Sequence, residues 1–158
     1  VKILNFPEEA KIIRKYNTLN REELILQEKV EGIEYTVQMI ANEVDQLQAV
    51  VPVRIEIKRG ITIRAYTDGN EIVSKACVDI HNKFPTFGCY NIQLILDNKN
   101  NVFPFEINTR ISTTICLVLA SGVDPIKLFL TDAKDSLAPY KKNLRLQRNW
   151  NNYYEYLK

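Results

Sequence analysis

The chain has 158 residues, and its 21 lysines and arginines nearly balance 19 aspartates and glutamates, which leaves a formal net charge of +2. This balance excludes a strongly basic surface, so composition gives no reason to expect nucleic-acid partners. No apolar run is long enough to span a bilayer and the first residues lack the layout of a signal peptide, so we expect a cytoplasmic protein without membrane partners.

The amino-terminal third of the chain predicts one helix followed by strands. A proline at a first helical position, with acidic residues in the first turn, predicts a short helix over residues 7–16. Aliphatic and β-branched residues then predict antiparallel strands over residues 23–30, 34–41 and 47–57. Residues 58–70 contain glycines and basic residues without a sustained period, which predicts a loop.

A second helix is predicted over residues 71–84, where apolar side chains recur at helical spacing. Asp68 or Asn70 can cap its start, and Pro85 and Gly88 follow its end. The predicted buried stripe consists of Ile72, Ala76, Ile80 and Phe84, flanked by Val73 and Cys77.

The remaining chain predicts a β-hairpin, two helices and an edge strand. Two alternating runs joined by the turn DNKNN predict a hairpin over residues 89–110. An apolar helix over residues 112–121 then ends at Gly122, which suits a left-handed cap, and Asp124 begins a further short helix. The tail NLRLQRNWNNYYEYLK alternates in polarity near its start, which predicts a strand packed on the sheet edge.

The cysteines and the single histidine offer no catalytic or metal centre. Cys77, Cys89 and Cys116 are far apart among apolar neighbours, which favours reduced, buried thiols over disulfides or zinc ligands. His81 lies near the end of a predicted helix, so we expect it to have a core or surface role.

The register of the predicted hairpin determines which of its side chains share a face. If the turn closes with Asp97 opposite Val102, Gln93 lies directly across from Glu106, with Cβ atoms about 4.5–5.5 Å apart. The same face then carries Asn91, Asp97 and Asn108. The opposite face combines Ile92, Leu94, Leu96, Phe103, Phe105 and Ile107.

A carboxylate flanked by two amides suits a hard divalent cation. Mg²⁺ takes oxygen ligands and completes its shell with water and nucleotide phosphates, so this set would hold Mg²⁺ that arrives with ATP. The alternative is a polar face that contacts only water, as one face of an antiparallel sheet usually does.

The segment NIQLILDNKNNVFPFEINTRISTT resembles the closing segment of the ATP-grasp ligases, and most closely that of the carbamoyl-phosphate synthetase large subunit and related carboxylate-amine ligases. In that family a Gln or Glu on one strand and a Glu-x-Asn on the next hold two Mg²⁺ ions against the ATP phosphates. The resemblance implies that Gln93, Glu106 and Asn108 bind Mg²⁺ or Mn²⁺, and that Arg110 steadies the transferred phosphoryl group.

A second segment, LILQEKVEGIEYTV over residues 24–37, is similar to the family's hinge strand. There the resemblance implies that Glu34 binds the ribose hydroxyls. It also implies that adenine is contacted through the backbone by Gln27, Glu28, Lys29 and Val30.

The basic stretch between these segments is also similar to the family's and supplies further candidates. Arg54, Arg59 and Arg64 are candidates for contacts to phosphate or carboxylate, and the alternative is a solvated loop. Thr113 stands where carbamoyl-phosphate synthetase carries a second arginine, which leaves the acceptor substrate open.

The resemblance covers residues 20–131 and implies an α+β fold: the C-terminal half of an ATP-grasp domain, an antiparallel β-sheet with helices packed on one face. Residues 1–135 would form this partial subdomain, and residues 136–158 a tail packed on the sheet. The family's glycine-rich phosphate loop and its two lysines do not occur in the chain. We therefore expect a fragment that lacks the N-terminal half of the ATP-grasp domain and is inactive alone.

The implied activity is ATP- and Mg²⁺-dependent carbon-nitrogen ligation through an acylphosphate, with ATP and a small carboxylate or amine as partners. The alternative is a noncatalytic binding or self-association module derived from the same fold, which leaves a homodimer open. The tail aromatics would either serve such an interface or cover a sheet edge; they are Trp150, Tyr153, Tyr154 and Tyr156.

Overall fold

The computed structural model describes residues 27–130 and 136–149. Three predictions fall outside this range: the helix over residues 7–16, the first part of the strand predicted from residue 23, and the aromatic residues of the tail. They stay predictions.

The chain divides into two compact units, Val1–Glu31 and Gly32–Lys158. In the described part of the first unit, residues 27–30 form neither helix nor strand, so the strand predicted there is wrong over these residues. Lys29 and Glu31 make an exposed ion pair of 3.1 Å.

Within the described residues, the second unit consists of six strands and three helices. In chain order they are β1 (Ile33–Ala41), β2 (Leu47–Arg59), β3 (Ile61–Thr67), α1 (Glu71–Lys83), β4 (Gly88–Leu96), β5 (Val102–Asn108), α2 (Ile115–Ala120), α3 (Pro125–Leu130) and β6 (Arg145–Gln147). The strands form one sheet in the order β5-β4-β1-β2-β3-β6, with every neighbouring pair antiparallel. This confirms the predicted α+β class. Among these elements, no helix has the length and apolar character needed to cross a bilayer.

The first face of the sheet packs against α1. Tyr35, Val37 and Met39 alternate along β1 onto this face, where they form one core with Val73 and Cys77 of α1. Burial of these apolar side chains is the main stabilising contribution of the layer.

Helix α1 begins where the sequence predicts, but the apolar stripe that it buries against the sheet is not the predicted one. Asn70 is the N-cap, and its Oδ1 accepts a hydrogen bond from the Val73 amide at 3.1 Å. The buried residues are Val73, Cys77 and His81. Ile72 and Phe84, predicted to be buried, are 42% and 70% exposed. The two stripes lie about 100° apart on a helix, and contact with the sheet selects between them.

His81 has a core role, one of the two roles that the sequence predicts for it. Its Nδ1 lies 2.7 Å from the Tyr90 hydroxyl, and its Nε2 lies 2.8 Å from the Asp45 carbonyl oxygen. Because both ring nitrogens have partners, burial of this side chain leaves no polar group unsatisfied.

The second face of the sheet packs against α2 and α3. Ile40, Val51 and Val53 form a second core with Leu117 and Val118 of α2. The prediction that the helices share one face is thereby corrected, because α1 lies on the first face. An apolar helix can cover either face of a sheet, and the long-range path of the chain selects the side.

The stretch of residues 58–70 is a hairpin strand and not the predicted loop. Strand β3 pairs with β2 after a tight turn in which Gly60 has a φ of 73°, a conformation that glycine adopts readily. Two irregularities in the β2–β3 register interrupt the period of two, which is why the alternation is not visible in the sequence.

The turn between β4 and β5 has five residues instead of the predicted four. Leu96 pairs with Val102, and Asp97 Oδ1 accepts hydrogen bonds from the Lys99 and Asn101 amides at 2.8 Å each. A β-bulge next to Gln93 then shifts the register by one residue. The longer turn and the bulge shift the register in opposite directions, so the pairing from Gln93 to Asn91 is the predicted one.

Strand β5 is an exposed sheet edge, which corrects the predicted apolar face. Ile92, Leu94 and Leu96 of β4 are buried. Their expected partners on β5 are partly exposed: Phe103 by 39%, Phe105 by 44% and Ile107 by 51%.

The last elements follow their local sequence signals. Helix α2 is followed by Gly122 with a φ of 103°, and Asp124 Oδ1 accepts hydrogen bonds from the Ile126 and Lys127 amides at 3.0 and 3.1 Å. The tail contributes the predicted edge strand, because β6 pairs with β3. A domain boundary at residue 135 stays a prediction.

The three cysteines are free thiols. Cys77 is buried and Cys89 is half-buried, but Cys116 is exposed, so its predicted burial is wrong. Cys116 lies on the short helix α2, whose buried residues are Leu117 and Val118.

Candidate functional site

The predicted pairing between β4 and β5 is confirmed for the polar residues of the hairpin. Gln93 pairs with Glu106 and Asn91 pairs with Asn108. The Gln93 Nε2 donates to Glu106 Oε2 at 2.6 Å, and Asn108 Nδ2 lies 3.5 Å from Asn91 Oδ1. The carboxylate and the three amides therefore form one polar group on the second face of the sheet.

A cavity of about 270 Å³ lies beside this polar group. Its walls come from β1, the β2–β3 hairpin, β4, β5 and the loop before α2. The lining residues are Thr36, Lys58, Gly60, Ile61, Thr62, Asn91, Gln93, Glu106, Arg110, Ser112 and Thr113. Most of them are polar; Arg110 and Glu106 bring one charge of each sign, and the ammonium group of Lys58 is paired with Glu34.

Arg110 follows the end of β5 by two residues and lines the cavity. The Asn91 Nδ2 donates to the Arg110 carbonyl oxygen at 2.9 Å, which fixes the backbone at the end of the strand. The guanidinium makes one hydrogen bond, from Nη1 to the Ile111 carbonyl oxygen at 3.3 Å. Within the described part of the chain its remaining N–H groups have no hydrogen-bond partner, so the group suits recognition of phosphate or carboxylate oxygens.

The loop before α2 is anchored to the centre of the sheet by a buried amide. Gln38 is fully buried; its Nε2 donates to the Tyr90 carbonyl oxygen at 2.7 Å, and its Oε1 accepts from the Ser112 amide at 3.3 Å. Ser112 Oγ in turn lies 2.7 Å from Thr114 Oγ1. These contacts hold Ser112 and Thr113 at the cavity wall.

Lys58 is a cavity residue that the sequence motifs do not indicate. Its Nζ lies 2.5 Å from Glu34 Oε1 and 3.3 Å from Gln93 Oε1. It pairs with Thr62 across the β2–β3 hairpin, beside the bulges that hide the strand period. In the sequence, the only local feature that indicates a site role for Lys58 is its position two residues before Gly60.

Glu34 lies on the same face of the sheet as the polar group, and its role in ribose binding stays a prediction. Side chains of β1 alternate, so Glu34 shares the second face with Thr36, which lines the cavity. Its carboxylate is paired with Lys58. Gln27, Glu28, Lys29 and Val30, the residues predicted to contact adenine, belong to the first unit, and their role stays a prediction.

Three further predicted arginines do not line the cavity. Arg54 lies on the first face, with its guanidinium 5.5 Å from the centre of the Tyr66 ring. Arg64 alternates onto the same face, and its Nε donates to Gln147 Oε1 at 2.6 Å. Arg59 is exposed at the end of β2. Arg54 and Arg64 point away from the polar group because they alternate with Val53 and Ala65, which are buried on the second face.

The oxygen donors fit a particular kind of metal ion. Among the described residues, no three His, Cys, Asp or Glu side chains converge on one point. One carboxylate, Glu106, stands with the amides of Gln93 and Asn108. Such a set does not suit a structural zinc or calcium site, but it fits Mg²⁺ or Mn²⁺ that brings phosphate oxygens with it.

Comparison with a model of the family described as "ATP-grasp in the biosynthetic pathway with Ter operon" gives a match over residues 20–152. A comparison with curated protein sequences gives no match.

Three solved structures with similar folds are distant from this chain in sequence. The biotin carboxylase domain of 2-oxoglutarate carboxylase from Hydrogenobacter thermophilus, a dimer in complex with MgADP, ADP and bicarbonate, is 16% identical, with a TM-score of 0.64 over 87% of this chain and 35% of that chain. Biotin carboxylase from Campylobacter jejuni in a β-γ-ATP complex is 16% identical, with a TM-score of 0.59 over 75% of this chain and 30% of that chain.

Phosphoribosylglycinamide synthetase from Anaerococcus prevotii is also 16% identical, with a TM-score of 0.51 over 76% of this chain and 35% of that chain. The chain thus spans about a third of the length of these structures. At this identity the likeness shows a shared fold.

Proposed function

Because the chain belongs to the family described as ATP-grasp in the biosynthetic pathway with Ter operon, we propose that it supplies the nucleotide- and metal-binding side of an ATP- and Mg²⁺-dependent carboxylate-amine ligase. The predicted ATP-grasp membership is confirmed by the family match, whereas the closer likeness to carbamoyl-phosphate synthetase stays a prediction. One observation carries the proposal: Gln93, Glu106 and Asn108 share one face of the β4–β5 hairpin, and Gln93 and Glu106 line a cavity together with Lys58 and Arg110.

The metal would be held by the two strands of the β4–β5 hairpin. Glu106 would contribute a carboxylate oxygen, and Gln93 and Asn108 would contribute amide oxygens. When bound, Mg²⁺ or Mn²⁺ supplies positive charge that neutralises and orients the phosphate oxygens of ATP. A set with a single carboxylate suits an ion that shares its shell with polyphosphate.

The chain's own residues would then position the reacting groups. Phosphoryl transfer from ATP to a carboxylate needs alignment and charge neutralisation more than a covalent nucleophile. Arg110, with its backbone fixed by Asn91, would hold oxygens of the transferred phosphoryl group or of the acylphosphate. An amine would then displace phosphate from the acylphosphate.

The nucleotide contacts rest on the resemblance of the hinge segment. Glu34 would bind the ribose hydroxyls, and the backbone of Gln27, Glu28, Lys29 and Val30 would contact adenine. The position of Glu34 on the same face as Thr36 of the cavity supports the first of these roles.

The activity of the whole protein is a wider proposal. The chain spans about a third of the structures it resembles, so the phosphate-gripping loop would come from an N-terminal half of the ATP-grasp domain. We propose a small carboxylate and an amine as the remaining substrates. Residues 1–135 would be the ATP-grasp subdomain and residues 136–158 its tail.

Replacement of Glu106 by glutamine tests this proposal. Calorimetry of the full-length protein with ATP, with and without Mg²⁺, should show that Glu106→Gln loses the Mg²⁺-dependent part of binding. Turnover should fall by about 100-fold or more because a direct ligand of the ion is lost. Glu106 is exposed, so the free energy of unfolding should change by less than about 0.5 kcal/mol.

Glu43→Gln is the matched control, because Glu43 is an exposed carboxylate in the turn between β1 and β2. It should leave ATP binding and turnover unchanged. Wild-type Mg²⁺-dependent binding and turnover in Glu106→Gln would contradict the proposed function.

A second candidate function is a noncatalytic self-association module. The exposed apolar side chains of the edge strand β5 favour it, because an open apolar edge is a ready surface for pairing with a second copy. Such a module would associate without nucleotide and would be insensitive to Glu106→Gln.

A further inference from the structure

Lys58 lies between the residues proposed to bind ribose and metal. Its Nζ is 2.5 Å from Glu34 Oε1 and 3.3 Å from Gln93 Oε1. Because Lys58 also lines the cavity, its ammonium group places one positive charge beside the oxygen that the proposed function assigns to the metal.

The two charged neighbours determine which way the Gln93 amide points. A lysine ammonium can only donate hydrogen bonds, and an ionised carboxylate can only accept them. Gln93 therefore turns Oε1 towards Lys58 and turns Nε2 towards Glu106, to which it donates at 2.6 Å. The opposite assignment would set donor against donor and acceptor against acceptor.

This amide orientation is incompatible with a metal ion shared by Gln93 and Glu106. Coordination needs an amide oxygen on the Glu106 side, where the NH₂ group now lies. Rotation of the amide would direct that neutral NH₂ group at the Lys58 ammonium, so the hydrogen bond would be lost and two donors would face each other. Lys58 must therefore leave Gln93 before the oxygen can turn.

We propose that Lys58 is a positioning residue of the metal-free protein: it holds Gln93 in a non-coordinating orientation, and metal binding requires its release. The inference rests on the proposed function of the same site. It predicts that removal of the Lys58 ammonium group strengthens metal binding, and that most of this effect depends on the Gln93 amide and not on the lost positive charge alone.

Mn²⁺ binding to the full-length protein tests the inference without reference to activity. Free Mn²⁺ measured by electron paramagnetic resonance should give Lys58→Met an affinity about threefold to tenfold above wild type, the range expected from loss of one competing hydrogen bond or ion pair. Lys58→Arg should stay near wild type because it keeps a donor cation. Lys99→Met, which removes a lysine from the exposed β4–β5 turn, should have no effect.

A double-mutant cycle separates the amide from a general charge effect. In a Gln93→Leu background no amide can turn, so Lys58→Met should lose most of its effect on Mn²⁺ affinity. An equal effect in both backgrounds would overturn the inference, and so would unchanged or weaker Mn²⁺ binding in Lys58→Met.

The outcome for Glu106→Gln distinguishes this failure from failure of the proposed function. If Glu106→Gln abolishes Mn²⁺ binding while Lys58→Met leaves it unchanged, the metal site stands and the role of Lys58 is wrong. If Glu106→Gln leaves wild-type Mn²⁺ binding intact, the metal site itself is wrong, and the inference is overturned with it.

Discussion

Single side chains in this sheet acquire their properties from burial and from their immediate partners. Cys77 lies under the sheet on α1, and burial raises the pKa of its thiol to about 12, because the thiolate would be stripped of water. Burial also raises the pKa of the Tyr35 and Tyr90 hydroxyls. These groups stay protonated in the folded protein at neutral pH.

The raised pKa of Cys77 predicts a stability loss at alkaline pH. Below pH 9.0, the thiol's ordinary pKa, both folded and unfolded states keep the proton. Above it only the unfolded state ionises, so the free energy of unfolding should fall by up to about 1.4 kcal/mol per pH unit from this one group.

Urea unfolding between pH 8 and pH 10.5 measures the effect. Cys77→Ala should show a shallower decline than wild type, whereas Cys116→Ala, at an exposed thiol, should follow wild type. Burial of Tyr35 and Tyr90 acts in all three proteins, and Cys77→Ala also removes the smaller contribution of Cys77 to the raised pKa of Tyr90. The same slope in Cys77→Ala and wild type would contradict the prediction.

At the scale of elements, the two edges of the sheet differ. Strand β6 at one edge has three residues, which makes it too short to offer many unpaired groups. Strand β5 at the other edge has seven residues and exposed apolar side chains on both sides of its bulge. Pro104 within β5 is compatible with an edge strand, where one ladder donor can be absent.

Phe105→Glu tests whether the β5 edge mediates self-association. Phe105 is skipped in the pairing with β4, so a charge there should leave the ladder intact and weaken any association through this edge by about tenfold or more. Sedimentation velocity over a range of concentrations measures it. Phe87→Glu, at a 64% exposed residue before β4, is the control. Monomeric wild-type protein at all concentrations would eliminate the module hypothesis.

At the scale of the whole second unit, the tail joins parts of the cavity wall. The backbone amide of Arg148 donates to the Ile63 carbonyl oxygen at 2.9 Å. The side-chain Nε of Arg148 donates to the Thr62 carbonyl oxygen, also at 2.9 Å. Its Nη2 donates to the Thr113 carbonyl oxygen at 2.5 Å. One guanidinium therefore connects β3 to the loop before α2, two parts of the chain that both line the cavity.

Arg148→Met should destabilise the protein more than Arg145→Met. Arg148 makes charge-assisted hydrogen bonds to two backbone carbonyls, and their loss should lower the free energy of unfolding by about 1–3 kcal/mol. Arg145 makes an exposed ion pair with Glu56 at 3.0 Å, which contributes about 1 kcal/mol or less. Denaturant unfolding measures both, and equal losses would show that the Arg148 bonds have no special role.

Local sequence patterns are sufficient to predict most helices and strands and the pairing at the centre of the site. Asn70, Gly122 and Asp124 mark helix ends through hydrogen bonds and conformations within a few residues, so the sequence predicts them. The pairing of Gln93 with Glu106 follows from a short turn and a period of two, although the turn is one residue longer and a bulge compensates.

Long-range packing decides the rest, because it depends on register shifts and on which face each segment crosses. The bulges between β2 and β3 turn Lys58 into the cavity, and a bulge has no reliable sequence pattern. The side of the sheet that α2 covers likewise depends on Gln38, which hydrogen-bonds the loop 74 residues later in the chain. A strand's period of two shows which residues share a face. Only the packing of neighbouring strands and helices decides whether that face is buried or lines the cavity.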